Sequence, residues 1–171
     1  VLSYVQDVTS PSKVVPVFTG RWWRFSFSDR FDKFPVDVSR LRDALGDYCA
    51  DLEPHYLLEK SNITTAMNTL VRRTAEITLG QVKRTIDGFP TTWASYWQPA
   101  TDEEEFGTYG AAGNNFGMRA EFACGDGEQC LLLRGDPLYQ DFAHVQHLVA
   151  VRATIQAMLL MQYQEQQRIE Q

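Results

Sequence analysis

The order of apolar and polar positions divides the chain into recognisable elements. From Arg21 onward the stretch "RWWRFSFS" alternates with period two. Trp23, Phe25 and Phe27 fall on one side, and Trp22, Arg24, Ser26 and Ser28 on the other, as in a half-buried strand. Pro35 and Asp37 then introduce a helix over "VSRLRDALGDYCADL", with Asp37 as its N-cap and Leu41, Leu45, Tyr48 and Leu52 along one face. A second helix starts near Ser61 or Asn62 and carries Met67, Leu70 and Val71.

Residues 72–88 are ambiguous. Read as a hairpin, Gly80-Gln81 forms a two-residue turn, and Ala75, Ile77 and Leu79 share a face with Val82 and Ile86. Read as a helix, the apolar positions drift around the axis and Gly80 lies inside it. The hairpin is narrowly preferred. "TTWASYW" reads as a further strand, and "FGMRAEFAC" is the clearest one. Phe116, Met118, Ala120, Phe122 and Cys124 alternate there with Gly117, Arg119, Glu121 and Ala123, and "QCLLLR" returns as its antiparallel partner after "GDGE".

The last helix runs over 138–171, apolar first and then a Gln-rich polar tail. Between Phe142 and Gln162 only Arg152 carries a full charge. Leu148, Val151, Ile155, Met158 and Leu159 fill one arc, with Phe142, Val145, Val149 and Leu160 beside it. The remaining quadrant holds Ala143, His147, Ala150, Ala153, Thr154 and Ala157. A surface helix normally shows a charged stripe opposite its apolar one. Here alanines stand in that place, so the aliphatic arcs are expected to cover the sheet. The small-residue quadrant is expected to meet other helices or a second subunit.

These elements predict a single α+β domain over 1–171. It would have an antiparallel sheet of about five to six strands packed on the long C-terminal helix and two N-terminal helices. Residues 1–12 form an extended arm, and 101–115 an acidic, glycine-rich loop. The length of 171 residues and the 44% hydrophobic composition suffice for a core without a metal or disulfide staple. Charge is uneven: the net of −6 comes from the acidic part after residue 100, which disfavours a phosphate backbone as partner. The polar residues within the C-terminal helix exclude a membrane span. Cys49, Cys124 and Cys130 form no C-x-x-C pair and leave one over, a count that favours a reducing compartment or an assembled particle over secretion, with Cys124 and Cys130 open as a pair across a turn. The first ten residues show no signal peptide, although a chain beginning with Val leaves an upstream segment open.

Candidate chemistry is sparse. Asp141, His144 and His147 sit at i, i+3 and i+6, so the outer two diverge by about 120° on a helix and need ligands from elsewhere. The expectation is no metal and no cofactor. The glycines at 107, 110, 113 and 117 lack the following helix that a phosphate cradle requires. Asn62-Ile63-Thr64 matches the glycosylation acceptor pattern but reads first as a helix start, and Arg134-Gly135-Asp136 would need an extracellular setting to bind an integrin. Arg21, Trp22 and Arg24 bring together residue types enriched in interface hot spots.

The expected role is therefore a non-enzymatic structural or interaction subunit of a larger protein assembly, a virus or phage particle component or an accessory subunit of a cellular complex. Its interface candidates are Arg21, Trp22, Arg24, Ala143, His147, Ala150, Ala153, Ala157 and Tyr163. Two alternatives stand behind it. Arg24, Ser26-x-Ser28 and Glu103-x-Glu105 resemble, in order, short elements of some ADP-ribosyltransferases, which implies an enzyme site between Arg24, Ser26, Ser28 and the 103–117 loop. A small nucleic-acid module would use Arg21, Trp22 and Arg24.

Overall fold

A computed structural model describes residues 2–17, 21–22, 25–26, 28–46, 62–102, 105–123 and 127–169. The chain mixes helix and sheet and ends in a long helix. In order, the elements are α1 (Leu2–Asp7), α2 (Pro11–Val14), β1 (Arg21–Trp22), β2 (Phe25–Ser26), α3 (Val38–Gly46), α4 (Ile63–Lys83), β3 (Trp97–Gln98), β4 (Thr108–Tyr109), β5 (Ala120–Ala123), β6 (Gln129–Leu132) and α5 (Pro137–Ile169). Short 3-10 turns lie at Phe31–Lys33 and Trp93–Ser95.

Helix starts follow local capping chemistry. Asp37 Oδ1 accepts from the Arg40 amide at 3.0 Å, and Asn62 Oδ1 accepts from the Thr65 amide at 2.9 Å, so both caps fall where the sequence places them. Asp136 opens α5 by accepting from the Leu138 amide at 3.0 Å.

Among the described residues the expected sheet of five to six strands is not formed. The described strands make three separate two-stranded antiparallel ribbons, β1–β2, β3–β4 and β5–β6. The expected single long first strand is instead two short ones, Arg21–Trp22 and Phe25–Ser26, which pair antiparallel with each other. Only β5–β6 runs to four residues per strand, with Ala120, Phe122, Cys130 and Leu132 inward. Aromatic residues that suggested strands are instead carried by turns. Trp93 lies in a 3-10 turn, and Phe116 precedes β5 in a turn while remaining 2% exposed.

Residues 72–83 form the second half of α4, not a hairpin arm. The buried positions are Ala66, Met67, Leu70, Thr74, Thr78 and Val82, repeating near every fourth residue. Two of them are threonines. Thr74 Oγ1 donates to Leu70 O at 2.8 Å and Thr78 Oγ1 to Val8 O at 2.8 Å, so the helix buries hydroxyls without leaving them unpaired. That substitution removes the apolar period from the sequence. Ile77, inward in a hairpin, faces outward at 48% exposure. The expected N-terminal arm is likewise folded, as α1 and α2, with Val5 fully buried.

Two cores result, and α5 enters both. An aromatic core gathers Phe31, Trp93, Tyr96, Trp97, Phe116 and Phe122 around Tyr139 and Phe142 of α5. Phe142 lies 4.5 Å from Trp93 and stacks on Trp97 at 5.8 Å, ring centre to ring centre. A helical core packs Val5, Ala66, Met67 and Leu70 against Ala153, Ala157 and Leu160. Between the cores, Gln146 of α5 is 1% exposed and meets Thr78 at 3.4 Å.

Three glycines of the 107–117 loop, Gly107, Gly110 and Gly117, are packing residues. A Cβ on Gly110 would stand 2.5 Å from Ser95 O and 2.6 Å from Ala94 O, both backbone. Gly117 has a φ of +78° and presses against the Phe34 ring. Gly80, inside α4, has open space around it. Gly110→Ala should therefore cost about 1–3 kcal/mol, whereas Gly80→Ala should stabilise by about 0.5–1 kcal/mol. Urea unfolding of both variants checks the opposite signs.

Candidate functional site

Polar residues converge most closely around Asp29, which the sequence reading passed over. Asp29 is 2% exposed. One carboxylate oxygen accepts from the Phe31 amide at 2.8 Å, and the other from Trp97 Nε1 and Tyr109 OH, each at 2.9 Å. Burial, then the adjacent Asp29 charge, raises the Tyr109 phenol above its ordinary pKa and keeps it protonated as a donor. The signal that could have found it is local. An Asp that caps the amide two residues on forms an Asx turn, and "SDRF" fits one.

Asn114 closes the same junction. Its Oδ1 accepts from the Arg30 amide at 2.8 Å, and its Nδ2 donates to Ser28 O at 3.2 Å. The fold thus brings Ser28 beside the glycine loop, as the alternative enzyme site requires. Both ends of the Asn114 amide, however, are engaged in holding that loop to residues 28–30. Arg24 and Glu103 lie outside the described residues, as does the side chain of Ser26; Glu105 is exposed.

A second polar pair, Tyr96 and Tyr139, is fully internal. Tyr139 OH donates to Met118 O at 2.8 Å, so at the 2.5 Å contact between the two phenols Tyr96 is the donor. Burial raises both phenols, Tyr96 strongly, and neither is poised to lose its proton.

On α5, Asp141 pairs with Arg40 of α3 at 2.7 Å on the surface. His144, beside this pair and Asp37, has its Nδ1 buried without a hydrogen-bond partner among the described residues. Burial first, then Arg40, lowers its pKa, while Asp37 and Asp141 oppose the shift. His147 is half-buried 5.8 Å from the Phe31 ring, and burial followed by His144 lowers its pKa. Among the described residues no three His, Cys, Asp or Glu side chains form a group that could hold a metal.

The remaining predicted positions divide between inside and outside. Arg21 and Trp22 are placed as strand backbone, their side chains outside the described set. Ala143, Ala153 and Ala157 are 1%, 4% and 0% exposed. Those three alanines are closed to a second subunit, Ala153 and Ala157 inside the helical core and Ala143 in the aromatic one. Ala150 is half-buried, and Tyr163 is 37% exposed on the projecting end. The aliphatic arc expected to lie on a sheet belongs to neither core, and Val151 and Ile155 border a groove with Gln6 of α1. Leu148, Val151, Ile155 and Leu159 are half-buried and Met158 is 54% exposed. At 100° per residue, Ile155 stands about 160° from both Ala153 and Ala157.

Beside this helix an apolar groove of about 480 Å³ runs between α1, α4 and α5, lined by Tyr4, Ile63, Met67, Val71 and Met161. No described helix is long and apolar enough to cross a membrane. Cys130 is disulfide-bonded; Cys49 and Cys124 lie outside the described residues. Comparison of the chain with protein-family models, curated proteins and solved structures found no match.

Asp29→Ala should cost about 3 kcal/mol, because two buried donors and one half-buried donor lose their acceptor together. Calorimetric unfolding checks it. The histidines give a pH dependence of fixed sign. Their lowered values make the folded state bind fewer protons than the unfolded one, so their contribution is complete above about pH 6.5 and lost as pH falls. Denaturation midpoints should drop between about pH 7 and 5, and less so in a His144→Gln/His147→Gln variant.

Proposed function

We propose that this protein is a non-enzymatic interaction subunit that joins a larger assembly through the outward face of α5. The observation that carries the reading is the helix's second apolar side. The stripe Ala153, Ala157 and Leu160 is already buried in the chain, yet Leu148, Val151, Ile155, Met158 and Leu159 form another apolar side turned away from it. A helix packed on one side is expected to be charged on the other. This one is not, and the exposed Tyr163 and Ile169 continue apolar character towards its end.

The chemistry of the interior supports the same reading. The best-connected interior polar groups, Asp29, Tyr96, Tyr109 and Tyr139, bond one another or the backbone, and the Asn114 amide is engaged at both ends, whereas Ser28 Oγ, His144 Nδ1 and Gln146 Nε2 are buried without a hydrogen-bond partner among the described residues. A catalytic group needs a reactive atom left to offer to a substrate. The apolar face, carrying Arg152 as its one formal charge over 142–162, suits a partner's apolar helix or sheet face better than an ionic ligand.

Native mass of the protein taken from its source, together with light scattering of the pure chain against concentration, should report a species heavier than the monomer. An Ile155→Asp/Met158→Glu variant should keep its circular dichroism and lose at least about tenfold in association constant. A source protein that is monomeric at every concentration would overturn the reading.

A further inference from the structure

We propose that Asn62 is an N-glycosylation site, and that the mature protein carries an oligosaccharide on its side-chain amide nitrogen. Asn62-Ile63-Thr64 satisfies the acceptor pattern, with Ile rather than Pro in the middle. A pattern of three residues is weak alone, and the fold adds what the pattern lacks. Asn62 and Thr64 are both exposed at the head of α4. Asn62 caps that helix through Oδ1 alone, which accepts from the Thr65 amide at 2.9 Å and the Thr65 hydroxyl at 3.1 Å. Its Nδ2 has no hydrogen-bond partner among the described residues. Substitution on nitrogen therefore leaves the capping oxygen, and the helix start, as they are.

The second observation is independent of the first. Cys130 is disulfide-bonded. Structural disulfides form in oxidising, secretory compartments, where acceptor asparagines are also modified. The reaction needs a lipid-linked diphospho-oligosaccharide as co-substrate. A bond forms from Nδ2 to the anomeric carbon of the first sugar, and the carbon–oxygen bond to the diphosphate breaks. The lipid diphosphate leaves with that electron pair, and Nδ2 gives up one proton to a base.

The position has a consequence for the surface. Ile63 and Thr64, next along the chain, line the groove that Met161 and Gln164 of α5 complete. On the helix, Met161 and Gln164 stand about 120° and 180° from Ile155. A glycan at Asn62 thus borders the groove and leaves the outward face of α5 clear.

The test uses protein purified from its source and the tryptic peptide spanning residues 61–72. The peptide should carry an oligosaccharide mass that a glycan-releasing amidase removes, leaving Asp at position 62. The mass should vanish in Asn62→Asp, whose carboxylate preserves the cap, and in Thr64→Ala. It should persist in Thr64→Ser. An unmodified Asn62 in disulfide-bonded protein from the source overturns the proposal, as does an oligosaccharide that survives Asn62→Asp.

Discussion

Helix α5 has to satisfy two unlike neighbours along one length, and this requirement organises the molecule. Near its start the surroundings are turns and short ribbons, which leave irregular space. Tyr139 and Phe142 fill it with large rings. Further along, the neighbours are helices α1 and α4, whose axes can approach only if the facing side chains are small. Ala153 and Ala157 permit that approach, and Leu160 closes the end. A large side chain at Ala157, which is 0% exposed, would force the helices apart. An alanine at Phe142 would leave a hole in the aromatic cluster.

The boundary between the cores is polar, and this follows from the threonines of α4. Thr74 bonds back to its own helix, whereas Thr78 reaches Val8 O and meets Gln146. A buried hydroxyl that bonds a specific carbonyl fixes how far one element can slide along another, which apolar contact alone does not. The end of α1 is thereby held in register with α4 and α5. Asp29 does the corresponding task in the aromatic core. Trp97 and Tyr109, on paired strands, and Phe31, in a separate turn, all donate to it.

What could be read in advance depended on how local the controlling interaction was. Asp37 and Asn62 cap amides only three residues away, so sequence alone places both helix starts. The β5–β6 ribbon is legible because a period of two needs just its two strands. Residues 72–83 were misread because Thr74 and Thr78 occupy core positions, and their hydroxyls are satisfied by partners that spacing does not display. The sheet was overcounted for a related reason. Trp93, Tyr96, Trp97 and Phe116 have strand-like composition, but turns can deliver rings to a core as well as strands do. Of the candidate surface, the absence of charge on α5 was visible. Which side faced inward was not, because alanine and aliphatic arcs are both compatible with burial.

That ambiguity has a physical resolution in the relative areas involved. Burying Leu148, Val151, Ile155 and Leu159 removes more apolar surface from water than burying alanines, so a lone helix would turn its aliphatic arc inward. The chain does the opposite. The gain that reverses the choice comes from the neighbours: with alanines at the seam, Val5, Met67 and Leu70 approach the α5 backbone closely and bury their own larger side chains. The aliphatic arc is then left over by the packing that best serves the rest of the chain. Its residual exposure is a cost the monomer bears unless another surface covers it. On the proposed reading, the outward face of α5 is where association would gain most and disturb the existing cores least.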